Sequence, residues 1–451
     1  MNGIRVHQTQ GEEIIVHIGQ YYAGNKIVEF LMNRRLIYMN ILLVNHYAGS
    51  VDMGMEFRPY YLAREWVKMG HNVTIVAGDF SHLRKNNPEV TRDFQEQNIE
   101  GIEYCWVKTG AYHGNGAARA LTMFRFVGKL WFNAQYLVDR YKPDIVIASS
   151  TYPIDTFACQ RIARLAHAKL IHEVHDMWPV TLIEVGGMSR KHPFVQLMQW
   201  GENSFCRNSD AVVSLLPNAK KYFMAHGMKK KNFFCVPNGF DIKEWEQDQA
   251  KLPQNYVDLL TDLKNQGKFI LGYAGGHAIS NALIYLLKAL EHINNENIVV
   301  VLVGKGVEKE NLQRYANEHS LKNVYFLPAV DKVCIPILLS YMDALYIGWS
   351  KRDLYMNFGI SPNKLIEYML SEKPILFSGN VANDIVRESG CGLSVEAENA
   401  YEISKGIDYL AAQSIGELKD MGRVGREFAI NTYDYRILAN RFIEIMELIS
   451  K

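Results

Sequence analysis

The 451-residue chain carries no surplus of charge, no paired cysteines and no apolar run long enough to span a bilayer. Lys and Arg number 49 against 48 Asp and Glu, a net charge of +1, so bulk electrostatics favour neither nucleic acid nor an acidic partner. Six cysteines, at 105, 159, 206, 235, 334 and 391, are scattered with no C-x-x-C pair, which suits reduced thiols better than a disulfide framework. Runs of about 18 apolar residues are missing, which argues against a membrane-spanning helix. The first 38 residues lack the charged start and apolar stretch of a secretory signal. No D-x-D triplet occurs, so a carboxylate-held metal at a diphosphate lacks its simplest signature, and no metal is expected. "GKGVEKE" (304–310) is no P-loop, because no G-K-[ST] follows four spacer residues. "HEVH" (172–175) is no zincin motif: its histidines are three apart and end a strand.

An apolar fraction of 48% and a charged fraction of 22% mark an ordinary globular protein, long enough for two or three domains. "MNILLVNHY", from Met39, reads as a fresh start running into a buried strand, so residues 1–38 are expected to be an extension outside the main fold. The rival is a short β-arm over Glu13–Ile18. Buried strands are expected at 40–44, 72–78, 144–149, 169–174, 211–216 and 233–238, with helical patterns between most of them, including Glu56–Met69. A polar, poorly patterned stretch over 241–267 follows; the rhythm then restarts at 269–276, 298–306, 324–329, 344–349, 374–379 and 392–395. Near-continuous apolar strands alternating with helices imply α/β architecture, two doubly wound parallel sheets with ligands at the strands' C-terminal ends. The tail, 433–450, is an amphipathic helix able to cap either half. A helical pattern over 119–142 carries Arg119, Arg125, Lys129 and several aromatics; it either packs on the sheet or lies on an anionic membrane surface.

In "SPNKLIEYMLSEKP" (361–374), Ser361 reads as an N-cap and Pro362 as the first helical residue, with Asn363 and then a cation, Lys364, where Glu or Gln is usual. A lysine at the positive end of the helix dipole fits an absent anion, with Glu367 one turn on to accept hydrogen bonds from sugar hydroxyls. The alternative is a solvated Lys364–Glu367 pair giving roughly 0.2–0.5 kcal/mol. The preceding loop adds Lys351 and Arg352. Gly275 and Gly276, after a strand, permit close approach of a ligand or form a plain tight turn. In the first half Gly54 and Arg58 occupy the corresponding strand-to-helix loop, as room and charge for phosphate. Within "LIHEVHDMWP" (170–179), Glu173, His175 and Asp176 end a strand and are expected at a cleft, Glu173 and Asp176 on its acceptor side, where His175 meets a substrate hydroxyl or phosphate oxygen or is satisfied within the core.

From Met39 onward the chain resembles the GT-B-fold retaining glycosyltransferases of family 4. It is especially similar to the bacterial surface-polysaccharide branch that includes the N-acetyl-L-fucosamine transferases. The matching stretches are 54–78, "HEVHDMWP" (172–179), "VPNGFD" (236–241), "YAGG" (273–276), "LVGKG" (302–306) and "SPNKLIEYMLSEKPIL" (361–376). The resemblance implies two Rossmann-like domains facing a cleft. The first, 39–238, lies on the acceptor side and recovers the C-terminal helix 433–451; the second, 239–432, binds the nucleotide sugar. It implies a nucleoside-diphosphate donor, expected to be UDP-linked and to carry an N-acetylated amino sugar, with no further cofactor. The acceptor implied is a glycan or undecaprenyl-linked saccharide, met in the cytoplasm or at the inner face of the membrane, and no nucleic acid. Glu367 matches the second glutamate of the family's E-x7-E, at the ribose; His175 matches the histidine at the donor sugar; Gly54 matches the glycine loop near the diphosphate. Two departures stand out: the first glutamate is replaced by Gly359, and the Arg and Lys expected after the second domain's first strand give way to "HAISNA". Lys364, with Lys351 or Arg352, is the expected substitute at the diphosphate. A nucleotide-sugar 2-epimerase and a non-catalytic nucleotide-sugar-binding subunit remain alternatives.

Overall fold

The computed structural model describes residues 38–54, 57–114, 116–247 and 251–451; the extension expected at 1–38, with its rival arm Glu13–Ile18, falls up to residue 37 outside them. Residues from Met39 to Lys451 form one compact unit. Its first half is an eight-stranded sheet of β1 (Asn40–Val44), β2 (Asn72–Gly78), β3 (Gln95–Ile99), β4 (Ile102–Val107), β5 (Ile145–Ala148), β6 (Lys169–Val174), β7 (Ala211–Ser214) and β8 (Phe233–Cys235). Their spatial order is β3-β4-β2-β1-β5-β6-β7-β8. All neighbours are parallel except β3, which pairs antiparallel with β4. The β3–β4 hairpin was not expected, since "QEQNI" is a polar edge strand without the apolar run that marks the others.

The second half is a six-stranded, wholly parallel sheet in the order β11-β10-β9-β12-β13-β14. Its strands are β9 (Phe269–Ala274), β10 (Ile298–Val303), β11 (Val324–Leu327), β12 (Ala344–Gly348), β13 (Ile375–Ser378) and β14 (Gly392–Val395). Helices cover both faces, so β10, "IVVVLV", is buried at every position and shows no alternation. Strand order reverses between β1 and β5 in one sheet and between β9 and β12 in the other. The crevices beyond these points are where parallel α/β sheets place ligands. The 241–267 stretch is more ordered than its polarity suggested: helix Gln254–Asn265 buries Tyr256, Leu260 and Leu263. The 119–142 pattern divides into helices Ala117–Phe132 and Ala134–Tyr141 about Asn133.

The chain crosses between the sheets twice at one place. Outbound, residues 236–241 leave β8; on the return, helix Ile415–Tyr433 ends at Asp434, which caps helix Tyr435–Ser450 through the Arg436 N–H. Phe240 donates its N–H to Tyr433 O and accepts from Tyr435 N, both at 3.0 Å, so the two crossings are hydrogen-bonded together. The last helix thus starts at residue 435 and returns to the first half. Leu438, Phe442 and Met446 enter the core around Trp66, whose indole N–H donates to Ala439 O at 3.2 Å. Phe442→Ala would open a cavity in that core and cost about 3–5 kcal/mol. Denaturant unfolding of the variant checks this, and a loss below 1 kcal/mol would mean the helix is not integral to the first half.

Candidate active site

Helix Asn363–Leu370 follows β12 and precedes β13, so its N-terminus stands at the C-terminal edge of the second sheet. The cap differs from expectation. Pro362 is the N-cap and makes no side-chain cap bond, while Ser361 lies outside the helix. Ser361 Oγ accepts from Asn238 N at 2.9 Å and its carbonyl from Asn238 Nδ2 at 2.8 Å, tying this turn to the outbound crossing. Asn363 is exposed at the first turn.

Lys364 is drawn across onto the Gly275–Gly276 turn and does not extend into solvent. Its ammonium lies 4.2 Å from the centroid of the Tyr273 ring and donates to Tyr273 Oη at 2.7 Å and to Asn281 Oδ1 at 3.4 Å. Tyr273 Oη and Asn281 Nδ2 both donate to Gly276 O, at 2.6 and 2.8 Å. A side chain at Gly275 would meet Lys364 Cε at 2.6 Å, whereas a Cβ at Gly276 would meet nothing within 4 Å. The end of the Lys364 side chain thus lies against Gly275, and Gly276 leaves open space beside the cation. Burial drives the Lys364 pKa down to about 8, with the Glu367 carboxylate pulling the other way. Burial pushes the Glu367 carboxyl up, against Lys332 and Lys364. Glu367 accepts no side-chain hydrogen bond among the described residues and makes no ion pair with Lys364, so the solvated-pair alternative does not hold. Behind the turn, His277 is buried with both ring nitrogens unpartnered; burial, then Lys309 and Lys364, lowers it to about 4, which leaves it neutral.

Across the cleft, His175 follows β6, with Nε2 3.1 Å from Glu173 Oε2 and 2.9 Å from Ser149 Oγ. His172 is a core residue stacked on Phe205 at 3.8 Å. Several expected site residues are committed elsewhere. Arg58, 5% exposed, donates from Nε and Nη2 to Glu173 Oε1 at 3.0 and 2.8 Å, and from its two Nη groups to Val236 O and Pro237 O, which leaves it no place at a phosphate. Glu173 is 1% exposed and does not reach the cleft; burial pushes its carboxyl up, but Arg58 and His175 hold it well below the usual carboxylate range. Asp176 is spent within its own turn, accepting from Met177 N at 2.8 Å, Trp178 Nε1 at 3.1 Å and Thr181 Oγ1 at 2.6 Å. Lys351 pairs with Glu396 at 3.4 Å, and Arg352 donates to Ser350 Oγ and to Glu184 O of the first half, so neither joins Lys364. Gly54, at φ +68, closes a turn onto Val51 O and sits 3.2 Å (from its would-be Cβ) from Lys85, whose ammonium reaches Asp331 of the second half at 3.5 Å. Tyr273, Asn281, Ser149 and Lys85 were not foreseen. Of these only Tyr273 and Ser149 carried a signal, their position at strand ends.

Two family models match the chain: a glycosyl transferase 4-like domain over residues 53–239 and glycosyl transferases group 1 over residues 261–428. With the two parallel-sheet halves, they show that the chain belongs to the glycosyltransferases of GT-B fold. The chain is similar to the putative colanic acid biosynthesis glycosyl transferase WcaI of Escherichia coli, 23% identical over 314 residues, 67% of this chain and 74% of that protein. Among solved structures it is similar to Anabaena HepE in complex with UDP and glucose (TM-score 0.61, 16% identity, 91% of this chain and 100% of that one). Sucrose-phosphate synthase from Thermosynechococcus elongatus is a further fold relative (TM-score 0.67, 16% identity, 91% and 98%).

Gly359, where the resembling family carries its first glutamate, caps helix Asp353–Phe358 at φ +86. A Cβ there would collide with the Asn383 amide oxygen, which accepts from Ile360 N at 2.7 Å. Any side chain at 359 would therefore be strained in this backbone. Gly359→Ala should cost about 1–3 kcal/mol through the unfavourable φ alone. Thermal unfolding checks this; an unchanged midpoint would mean the turn adapts.

Proposed function

We propose that this glycosyltransferase moves a sugar from a nucleoside-diphosphate donor, with retention at the anomeric carbon and without a metal, to a hydroxyl of a glycan or undecaprenyl-linked saccharide during bacterial surface-polysaccharide assembly. The observation that carries the reading is the half-buried Lys364 over Gly275, beside the open face of Gly276 and at the start of a helix. An ammonium, free helix N–H groups and a side-chain-free backbone together suit a diphosphate. The UDP in the HepE complex makes a UDP-linked donor the natural first choice, and the family-branch resemblance selects an N-acetylated amino sugar. Glu367, one turn deeper with its carboxylate unbonded, takes the ribose hydroxyls, and His175 faces the transferred sugar.

In the reaction, the bond from the anomeric carbon to the β-phosphate oxygen breaks as the bond to the acceptor oxygen forms on the same face. The acceptor proton passes to the β-phosphate, which explains why the site offers no dedicated protein base. Lys364 opposes the charge that grows on the leaving diphosphate. Lys364→Ala should lower kcat by about 10²–10³-fold with the fold intact. Because the ammonium is lost as pH rises through about 8, UDP affinity of the native protein should fall above that pH and that of the variant should not. Calorimetric titration across pH 6.5 to 9.5 reads both, and parallel profiles or near-normal turnover would sink the assignment.

The acceptor side suggests where a lipid-linked saccharide is met, although no helix among the described residues is long and apolar enough to cross a membrane. Helix Ala117–Phe132 buries Thr122, Met123, Phe126 and Leu130 and exposes Leu121, Phe124, Trp131 and Phe132 on the opposite face. Arg161 stacks on Trp131 at 5.0 Å and Arg125 is exposed on the same helix, whereas Arg119 turns inward and donates to the buried Tyr47 Oη at 3.3 Å. An aromatic stripe edged by arginines fits the anionic inner face of the cytoplasmic membrane. The native protein should co-sediment with phosphatidylglycerol vesicles and not with phosphatidylcholine ones, and a Phe124→Glu/Phe132→Glu variant should stay in solution. Equal binding of both proteins would remove the membrane from the proposal.

A further inference from the structure

Glu173 is a buried carboxylate whose two oxygens do different work. Oε1 takes both hydrogen bonds from Arg58. Oε2 accepts the Ser149 hydroxyl at 2.6 Å and stands 3.1 Å from His175 Nε2. Ser149 Oγ is itself 2.9 Å from that nitrogen and, having given its proton to Glu173, can only accept there. Both neighbours of Nε2 are therefore acceptors. The proton of a neutral imidazole belongs on Nε2, and Nδ1, with no partner among the described residues, keeps a lone pair. Arg58 keeps Oε1 engaged and its charge keeps the carboxylate ionised, so the pattern cannot invert by protonating Glu173.

We propose that Glu173 is a positioning residue for transfer: it holds His175 as the Nε2–H tautomer, so that Nδ1 is presented as the acceptor for a substrate hydroxyl. This rests on the reading of His175 at the transferred sugar. It fixes which proton inventory a ligand must bring, namely a hydroxyl donor and not an acceptor such as a phosphate oxygen. Arg58 extends the arrangement to the crossing point, since the same guanidinium that holds Glu173 also holds the carbonyls of Val236 and Pro237.

Glu173→Gln separates positioning from packing, because the shape is kept. With its carbonyl oxygen still facing Arg58, the glutamine must turn its NH2 toward His175. That nitrogen is a donor, so Nε2 has to accept and the ring proton moves to Nδ1. Nitrogen-15 NMR of histidine side chains in the full chain reads the tautomer directly, with His175 assigned by the signal missing from His175→Gln. The native protein should show Nε2–H, and Glu173→Gln should show Nδ1–H with kcat reduced about 10²-fold or more and UDP affinity within about twofold. An Nδ1–H ring in the native protein overturns the proposal with no variant needed, which covers a Glu173→Gln chain that fails to fold. A variant that keeps Nε2–H, or keeps its kcat, overturns it as well. Failure of the functional reading is a separate outcome: His175→Ala with full turnover, or a native protein that binds no UDP.

Discussion

The buried guanidinium of Arg58 bonds at once to Glu173, behind the cleft, and to the carbonyls of Val236 and Pro237, where the chain leaves the first sheet for the second. A charge taken out of water has to be paired and hydrogen-bonded, and stripping one partner from such a pair costs about 3–5 kcal/mol. Three elements are therefore held in one geometry: helix Phe57–Lys68, which carries the arginine, the end of β6, and the outbound crossing. Nothing else among the described contacts joins the hinge to His175 so directly. The first-half face of the cleft is built outward from this contact.

The rest of the "VPNGFD" segment repeats the theme. Asn238 binds the Ser361 turn, Gly239 leaves room for the Tyr433 carbonyl, Phe240 pairs with the returning chain, and Asp241 meets Arg64. The turn that Asn238 holds is the one that starts the Lys364 helix. The helix that carries Lys364, the hinge and His175 thus share one connected set of hydrogen bonds, and the polar residues of the hinge are spent on fixing it. A second, apolar contact lies farther along the cleft. Leu354 and Phe358 of the second half pack with Val174, Met177 and Phe223 of the first, and the Phe358 ring meets Tyr222 at 5.2 Å.

Much of this was readable beforehand where one physical signal dominated. Strands buried on both faces announce themselves as β-branched runs, and the twelve runs found cannot belong to one parallel sheet of ordinary size. The paired glycines and the helix-start lysine were visible because both break local rules: a lysine is unfavourable at a helix N-terminus, and glycine weakens the end of a strand. What misled was charge without context. Arg58 sits in the first turn of helix Phe57–Lys68 and Lys351 and Arg352 in the loop after β12, yet each has a partner tens or hundreds of residues away, Glu173, Glu396 and the Glu184 carbonyl respectively. Asp176 looked like a cleft carboxylate and serves its own turn. Polarity also hid the edge strand β3 and the helix Gln254–Asn265.

By itself the sequence determined the two α/β halves, the glycine turn, the helix that carries Lys364 in its first turn and the oddity at Gly359, because these follow from local periodicity and from residues that violate local preference. The tertiary structure alone decided where each cation goes. A long charged side chain has several polar partners within reach of its backbone position, and only folding settles which one it meets in low dielectric. It placed Lys364 over Gly275, sent Arg58 to the hinge, and turned His175 so that two acceptors face a single nitrogen.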